Sequence, residues 1–315
     1  MELFHHYLTD PVLQQGDDAS LWRDRVPRLG FRYGCVLHML LAVSALHLAR
    51  TDPVHHSPQL RRVAEKHAGT GIRETMALLP ELNRHNCGAL YISTILIFVF
   101  SLAKGPSPTD MFLVADGAEV PWWEPLKGVR LVLETMGPAA IFSGILEPSE
   151  NDKPETEETA TGGATTGPIV ATALRWGESL RSVFRLVHVT TSPCPATDMF
   201  HRMLDGLADC FQATFGTPAE PQECGMGGRF EVVMLWLYRM EDDFALQVRQ
   251  HHPVAVVLLA HFAVLLQTME HAWFMKGWAK HILGRATEIL AAQTASVELL
   301  RWPTEAINDL AALSS

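Results

Sequence analysis

Fifteen histidines are scattered through the 315 residues, so a metal site is the first chemistry to test. Metal ligands must converge on one point, and helical spacing decides whether they can. His38 and His47 stand nine residues apart in the apolar stretch GCVLHMLLAVSALHLAR, residues 34–50. At about 100° per residue, that spacing turns half a revolution, and the two rings leave opposite sides of one helix. His261, His271 and His281 are ten apart, a step that drifts by about 80° and spreads them around a helix. The run holds neither H-E-x-x-H nor H-x-x-x-H. The adjacent pairs His5–His6, His55–His56 and His251–His252 send their side chains in diverging directions. No metal site is therefore expected.

Acid–base and nucleophilic chemistry fare little better. Glu241, Asp242 and Asp243 are consecutive and fan across about 200° of a helix, so at most one faces any given pocket. They read as a solvated acidic patch. No G-x-S-x-G elbow is present, and the five cysteines (35, 87, 194, 210 and 224) carry no C-x-x-C pair or catalytic signature. An odd number of such thiols, some in apolar runs, reads as reduced and intracellular. The glycine-rich stretch 216–229 lacks the spacing of a phosphate loop and is taken as an ordinary connection. Sequence assigns no nucleophile and no cofactor.

What does stand out is bulky apolar surface. VVMLWLYRM at 232–240 and HFAVLLQTMEHAWFMKGW at 261–278 bring together aromatic and sulfur-bearing side chains. A small hydrophobic ligand needs adaptable apolar walls with one or two polar groups to orient it. The candidate ligand-binding residues are Trp236, Met240, His261, Phe262, Trp273 and Trp278. His261 and Glu270 are the candidates for an acid or base, should the cavity carry a reaction. The competing reading of each residue taken singly is ordinary core packing.

These side chains must be held by helices. Apolar residues recur at helical spacing through nearly every long segment, and period-two alternation is almost absent, so the fold class is all-α, an irregular multi-helix bundle around an apolar cavity. Helices are expected near 34–50, 58–79, 86–103, 124–136, 170–188, 196–215, 229–250, 253–291 and 297–313, the penultimate one breaking near Gly277 or in the Lys276–Lys280 region. Asn86 is the expected cap of one helix and Thr197 or Asp198 of another. Residues 147–168, EPSENDKPETEETATGGATTGP, are acidic and without apolar periodicity, the composition of a disordered loop. Residues 1–315 are read as a single domain interrupted by that loop.

Composition narrows the partners. The chain is 48% hydrophobic and carries 35 acidic against 25 basic side chains, a formal charge of −10. That balance lacks the basic footprint of a phosphate-backbone binder, so direct nucleic-acid contact is not expected. The first residues, MELFHHYLTD, do not read as a secretory signal. The longest apolar stretches are too short or carry a histidine, and no membrane span is expected.

Taken together in order, MELFHHYLT, VLHMLLAVSALHLAR, NCGALYISTILIFVFSLA, PWWEPLKGVRLVLE, LLAHFAVLLQTMEHAWFMKGWAKHIL and LLRWPTEAI resemble the C-terminal regulatory domain of fungal sterol uptake control proteins, within the fungal-specific transcription factor superfamily. The resemblance implies an all-α domain whose apolar cavity accepts a sterol and whose occupancy governs transcription. It also implies that His38 and His47 belong to a recurring H-x-x-L-x-x-S-A-L-H-L helix and serve as scaffold. Such factors carry an N-terminal binuclear zinc cluster, six cysteines among basic residues, and no such run precedes MELFHHY here.

The reading is a regulatory domain in nucleus or cytoplasm that binds a sterol-like or other apolar metabolite and acts through protein partners. The alternative is a secondary-metabolism isomerase or cyclase acting on a terpenoid or polyketide in the same cavity. A purely structural interaction module ranks third.

Overall fold

A helix that is apolar on every face has to be surrounded, and three such helices organise the two units of this chain. The computed structural model describes residues 1–10, 12–13, 19–51, 57–106, 110–111, 114–115, 123–147, 172–190, 195–217, 219, 230–291 and 297–313. The chain divides into two units, Met1–Lys104 with Pro121–Ala160, and Gly105–Val120 with Thr161–Ser315.

The first unit is built on α3 (Gly34–Thr51) and α5 (Cys87–Ala103), which pack on each other. Around them lie α1 (Glu2–Thr9), a π-turn (Leu21–Arg25) running into α2 (Val26–Gly30), α4 (Ser57–Leu78), α6 (Trp123–Met136) and α7 (Pro138–Ile141). The more polar α4 lies along α3 at very short range. A Cβ on Gly71 would stand 2.8 Å from the Met39 sulfur and 3.1 Å from the Cys35 carbonyl, so only glycine permits the approach. Asn86 occupies the cap position of α5, as the sequence predicts. Its side chain turns backwards instead of capping: Oδ1 accepts the Asn83 N–H at 2.8 Å, and Nδ2 donates to the Glu81 carbonyl at 2.9 Å.

His38 and His47 do leave α3 on opposite sides, and each meets another histidine. His38 Nδ1 lies 2.9 Å from His67 Nδ1 on α4. On the other side His47 Nδ1 lies 2.8 Å from His6 Nε2 on α1, whose Nδ1 pairs with Asp10 at 2.7 Å. The histidines thus clamp neighbouring helices onto α3. Among the described residues, α3 alone is a single helix long and apolar enough to cross a membrane, with mean hydropathy 1.4. Its contacts with α1, α2, α4 and α5 give it the place of a core helix.

The second unit contains a two-residue antiparallel pair, β1 (Asp110–Met111) against β2 (Val114–Ala115), with Asp110 opposite Ala115. The other regular elements among its described residues are helices: α8 (Trp176–Thr190), α9 (Pro195–Phe215), α10 (Phe230–Tyr238), α11 (Asp242–Arg249), α12 (Pro253–Gln267), α13 (Trp278–Leu290) and α14 (Arg301–Leu313). The all-α class expected from periodicity is the class observed. Every residue of α12 from Val254 to Gln267 is buried, because α8, α9, α11, α13 and α14 pack around it. Each fully buried Val, Leu or Phe there contributes about 1.5–3 kcal/mol.

Three local expectations need correction. The helix foreseen over 229–250 is two helices, since the chain leaves helical geometry after Tyr238 and Glu241 is extended at φ −87°, ψ 147°. Thr197 and Asp198 do not cap α9, which already begins at Pro195 and takes them into its first turn. The 253–291 stretch ends its first helix at Gln267, ten residues before Gly277, although Gly277 is indeed the left-handed residue (φ 88°) that starts α13. The loop foreseen at 147–168 lies outside the described residues except for Glu147, as does most of 216–229.

Candidate functional site

His261 sits in the middle of α12 with no solvent exposure. Its Nδ1 is 2.8 Å from the Val257 carbonyl one turn earlier, and its Nε2 is 2.8 Å from the Ser179 hydroxyl on α8. A carbonyl only accepts, so Nδ1 carries the proton and Nε2 accepts from the Ser179 O–H. On its face the ring stacks against Trp302 of α14, centroids 5.4 Å apart. Burial pushes its pKa from 6.5 down to about 4, only partly offset by the bond to Val257. The imidazole is therefore neutral near pH 7 and a weak base, since a proton placed on it would be a desolvated charge. A proton-transfer role for His261 gains nothing from this setting.

Ser179 connects this ring to a pocket of about 440 Å³, whose lining includes Arg175, Glu298, Arg301, Trp302 and Glu305. The lining is charged and largely self-neutralised. Glu305 accepts from Arg175 at 2.8 Å and from Arg301 at 3.1 Å, contacts that hold its carboxyl below the usual range, the bond from Arg301 leading. Leu299 and Trp302 add apolar wall to this charged lining.

The bulky candidates occupy a different part of the second unit. Trp236 on α10 is fully buried, donates Nε1–H to the Met203 carbonyl at 2.8 Å, stacks on Phe262 at 4.6 Å and meets the edge of Phe244 at 5.6 Å. Met240 is fully buried as well. Trp236 and Phe262 are thus brought together, as interlocked core. Trp273 belongs to the turn between α12 and α13, where it meets Phe274 edge-on at 5.9 Å. Trp278 opens α13 and is buried. Glu270 lies in the same turn, and its Oε1 accepts the Gly277 N–H at 2.8 Å. This bond explains where the chain bends: a carboxylate seven residues back holds the left-handed glycine in place.

Ser179 and Trp302 were not legible in the sequence. Ser179 sits in a plain amphipathic helix 82 residues from His261, and no local pattern signals such a pairing. Among the described residues, no three His, Cys, Asp or Glu side chains converge as a metal site would require. The thiols of Cys35, Cys87 and Cys210 are free and buried. Burial raises all three, Cys210 to about 11, so they are protonated and unreactive.

An all-α chain whose core helices are ringed by amphipathic ones defines a protein of the multi-helix class. The sequence model of the fungal specific transcription factor domain matches residues 2–159, half of the chain. The chain belongs to that family. It is also similar to sterol uptake control protein 2 of Saccharomyces cerevisiae, 34% identical over 108 residues, which is 33% of this chain and 11% of the relative. With sterol uptake control protein 2 of Candida albicans it shares 26% identity over 142 residues, 44% of this chain and 19% of the relative. The chain thus matches less than a fifth of either relative's length. The family match ends beside the boundary of the first unit, so every candidate residue from Trp236 to Trp278 lies beyond it.

Proposed function

We propose that this chain is a regulatory domain of transcription-factor type, in nucleus or cytoplasm, that binds a sterol-like or other apolar metabolite and acts through protein partners. The observation that carries this reading is membership of the fungal specific transcription factor domain family, together with similarity to two sterol uptake control proteins. The formal charge of −10 supports action through protein rather than direct DNA contact. Residues 1–315 are proposed to work as a single domain. The ligand surface is proposed to draw on Trp236, Met240, His261, Phe262, Trp273 and Trp278.

The test is to incubate the purified protein with an apolar extract of its host and to follow retained and released compounds by mass spectrometry. The expected result is a retained, chemically unchanged sterol-like compound. Retention of nothing apolar overturns the ligand reading. Consumption of a compound with appearance of an isomer would replace regulation with the isomerase or cyclase alternative, and Glu270 would then be the first carboxylate to substitute.

A further inference from the structure

The pocket beside Ser179 is a ligand-sized space of about 440 Å³, within the range of roughly 300–1,000 Å³ that small-molecule sites occupy. The polar groups already spent inside it limit what fills it. Arg175 Nη2 and Arg301 Nε donate to the two carboxylate oxygens of Glu305, at 2.8 and 3.1 Å, so these donors are committed. Along α8 the supply runs the other way. Ser179 gives its proton to His261 Nε2, and Ser182 gives its own to the Glu178 carbonyl at 3.2 Å, so both serine oxygens have only lone pairs left to offer. The exposed Glu178 carboxylate makes no ion pair or hydrogen bond among the described residues, and Glu298 stands 3.9 Å from Arg301. Residues 178, 179 and 182 fall within about 100° of one helix face.

Two guanidiniums against three carboxylates leave the lining with one negative charge in excess. The matching ligand is a cation that donates several hydrogen bonds from one centre, and Leu299 and Trp302 give it apolar wall to lie on. We propose that this pocket binds a primary ammonium group on an aliphatic stem, its three N–H donors taken by Glu178, Ser179 and Ser182 and its stem laid against Leu299 and Trp302. A lysine side chain of a protein partner and a free alkylamine share this chemistry. The inference does not depend on the apolar-metabolite reading, since the pocket lies apart from Trp236, Met240 and Phe262, and an ammonium ion is a different class of ligand.

The experiment titrates n-pentylammonium and n-pentyltrimethylammonium into the full chain and reads binding at the assigned indole N–H of Trp302 in proton–nitrogen correlation spectra. The two probes share charge and stem, but the second has no N–H to donate, so the comparison separates recognition from the general attraction of an acidic chain for cations. Wild type should bind the primary ammonium at least about fivefold more tightly, the margin that charge-assisted hydrogen bonds supply. Glu178→Gln should weaken it by at least about threefold, a smaller effect because the carboxylate is exposed. Equal binding of the two cations overturns the proposal, and so does a Trp302 signal that neither of them moves. A peptide with one lysine, acetyl-Ala-Lys-Ala-amide, is then set against cadaverine: tighter binding of the peptide supports the site with a partner's lysine as its occupant, and tighter binding of cadaverine supports it with a free amine. The wild-type comparison decides the matter even if the variant does not fold.

Discussion

His261 makes acid stability a direct test of how completely α12 is enclosed. In the unfolded chain its ring titrates near the ordinary 6.5, whereas in the folded protein burial lowers that value to about 4. The unfolded state therefore binds the proton first as pH falls. Stability contributed by the neutral ring is complete above pH 6.5, declines between 6.5 and about 4, and is lost below that. Each tenfold loss of proton affinity on folding corresponds to about 1.4 kcal/mol, so the total is about 3 kcal/mol. His261→Phe keeps an aromatic ring against Trp302 and removes the titration. It sacrifices the bond to Ser179, whose pocket-lining position lets its hydroxyl turn to water. Urea unfolding followed by far-UV circular dichroism at pH 7.5, 6.5, 5.5 and 4.5 gives both stability curves. Carboxylates and the other histidines act equally in the two proteins, so the difference between the curves isolates this ring. It should be flat above pH 6.5 and then close in the variant's favour by more than about 2 kcal/mol at pH 4.5. Parallel curves would mean that the ring is hydrated or charged in the native state, and the argument for a neutral His261 would fail.

The histidine clamps on α3 should weaken in acid for the same reason. His47 is lowered first by burial and then by His6, and His67 by burial and then by His38, so both pairs lose stabilising effect as pH drops below about 6.5. Hydrogen exchange of α1 amides, corrected for intrinsic rates, should accelerate between pH 7.5 and 5.5 in wild type and much less in His47→Phe; an unchanged α1 in wild type would refute the clamp. Trp236→Ala should cost about 3–5 kcal/mol of unfolding free energy, since it empties the space against Phe262 and Phe244 and orphans the Met203 carbonyl contact. A loss below about 1 kcal/mol would show that the indole is not core.

Much of the architecture was legible because periodicity is local information. The largely apolar runs in 34–50 and 253–267 have to be enclosed as helices, and the nine-residue step from His38 to His47 puts the two rings on opposite faces. Where neighbouring chain decided the outcome, the reading slipped. The break at Glu241 carries no glycine or proline signal. The shift of the α12 end to Gln267 depends on a tightened turn secured by Glu270 against Gly277.

The sequence by itself determined the helical class, the position of the core helices and the absence of a local catalytic motif, because each is written in residue spacing along a single strand of chain. Tertiary structure alone decided what each polar group in those helices meets. Ser179 reaches His261 across 82 residues, His6 reaches His47 across 41, and Gln267 and Glu270 are left with unused acceptors. Hydrogen bonds and desolvation act through space over a few ångströms, and that distance exists only once the helices have packed.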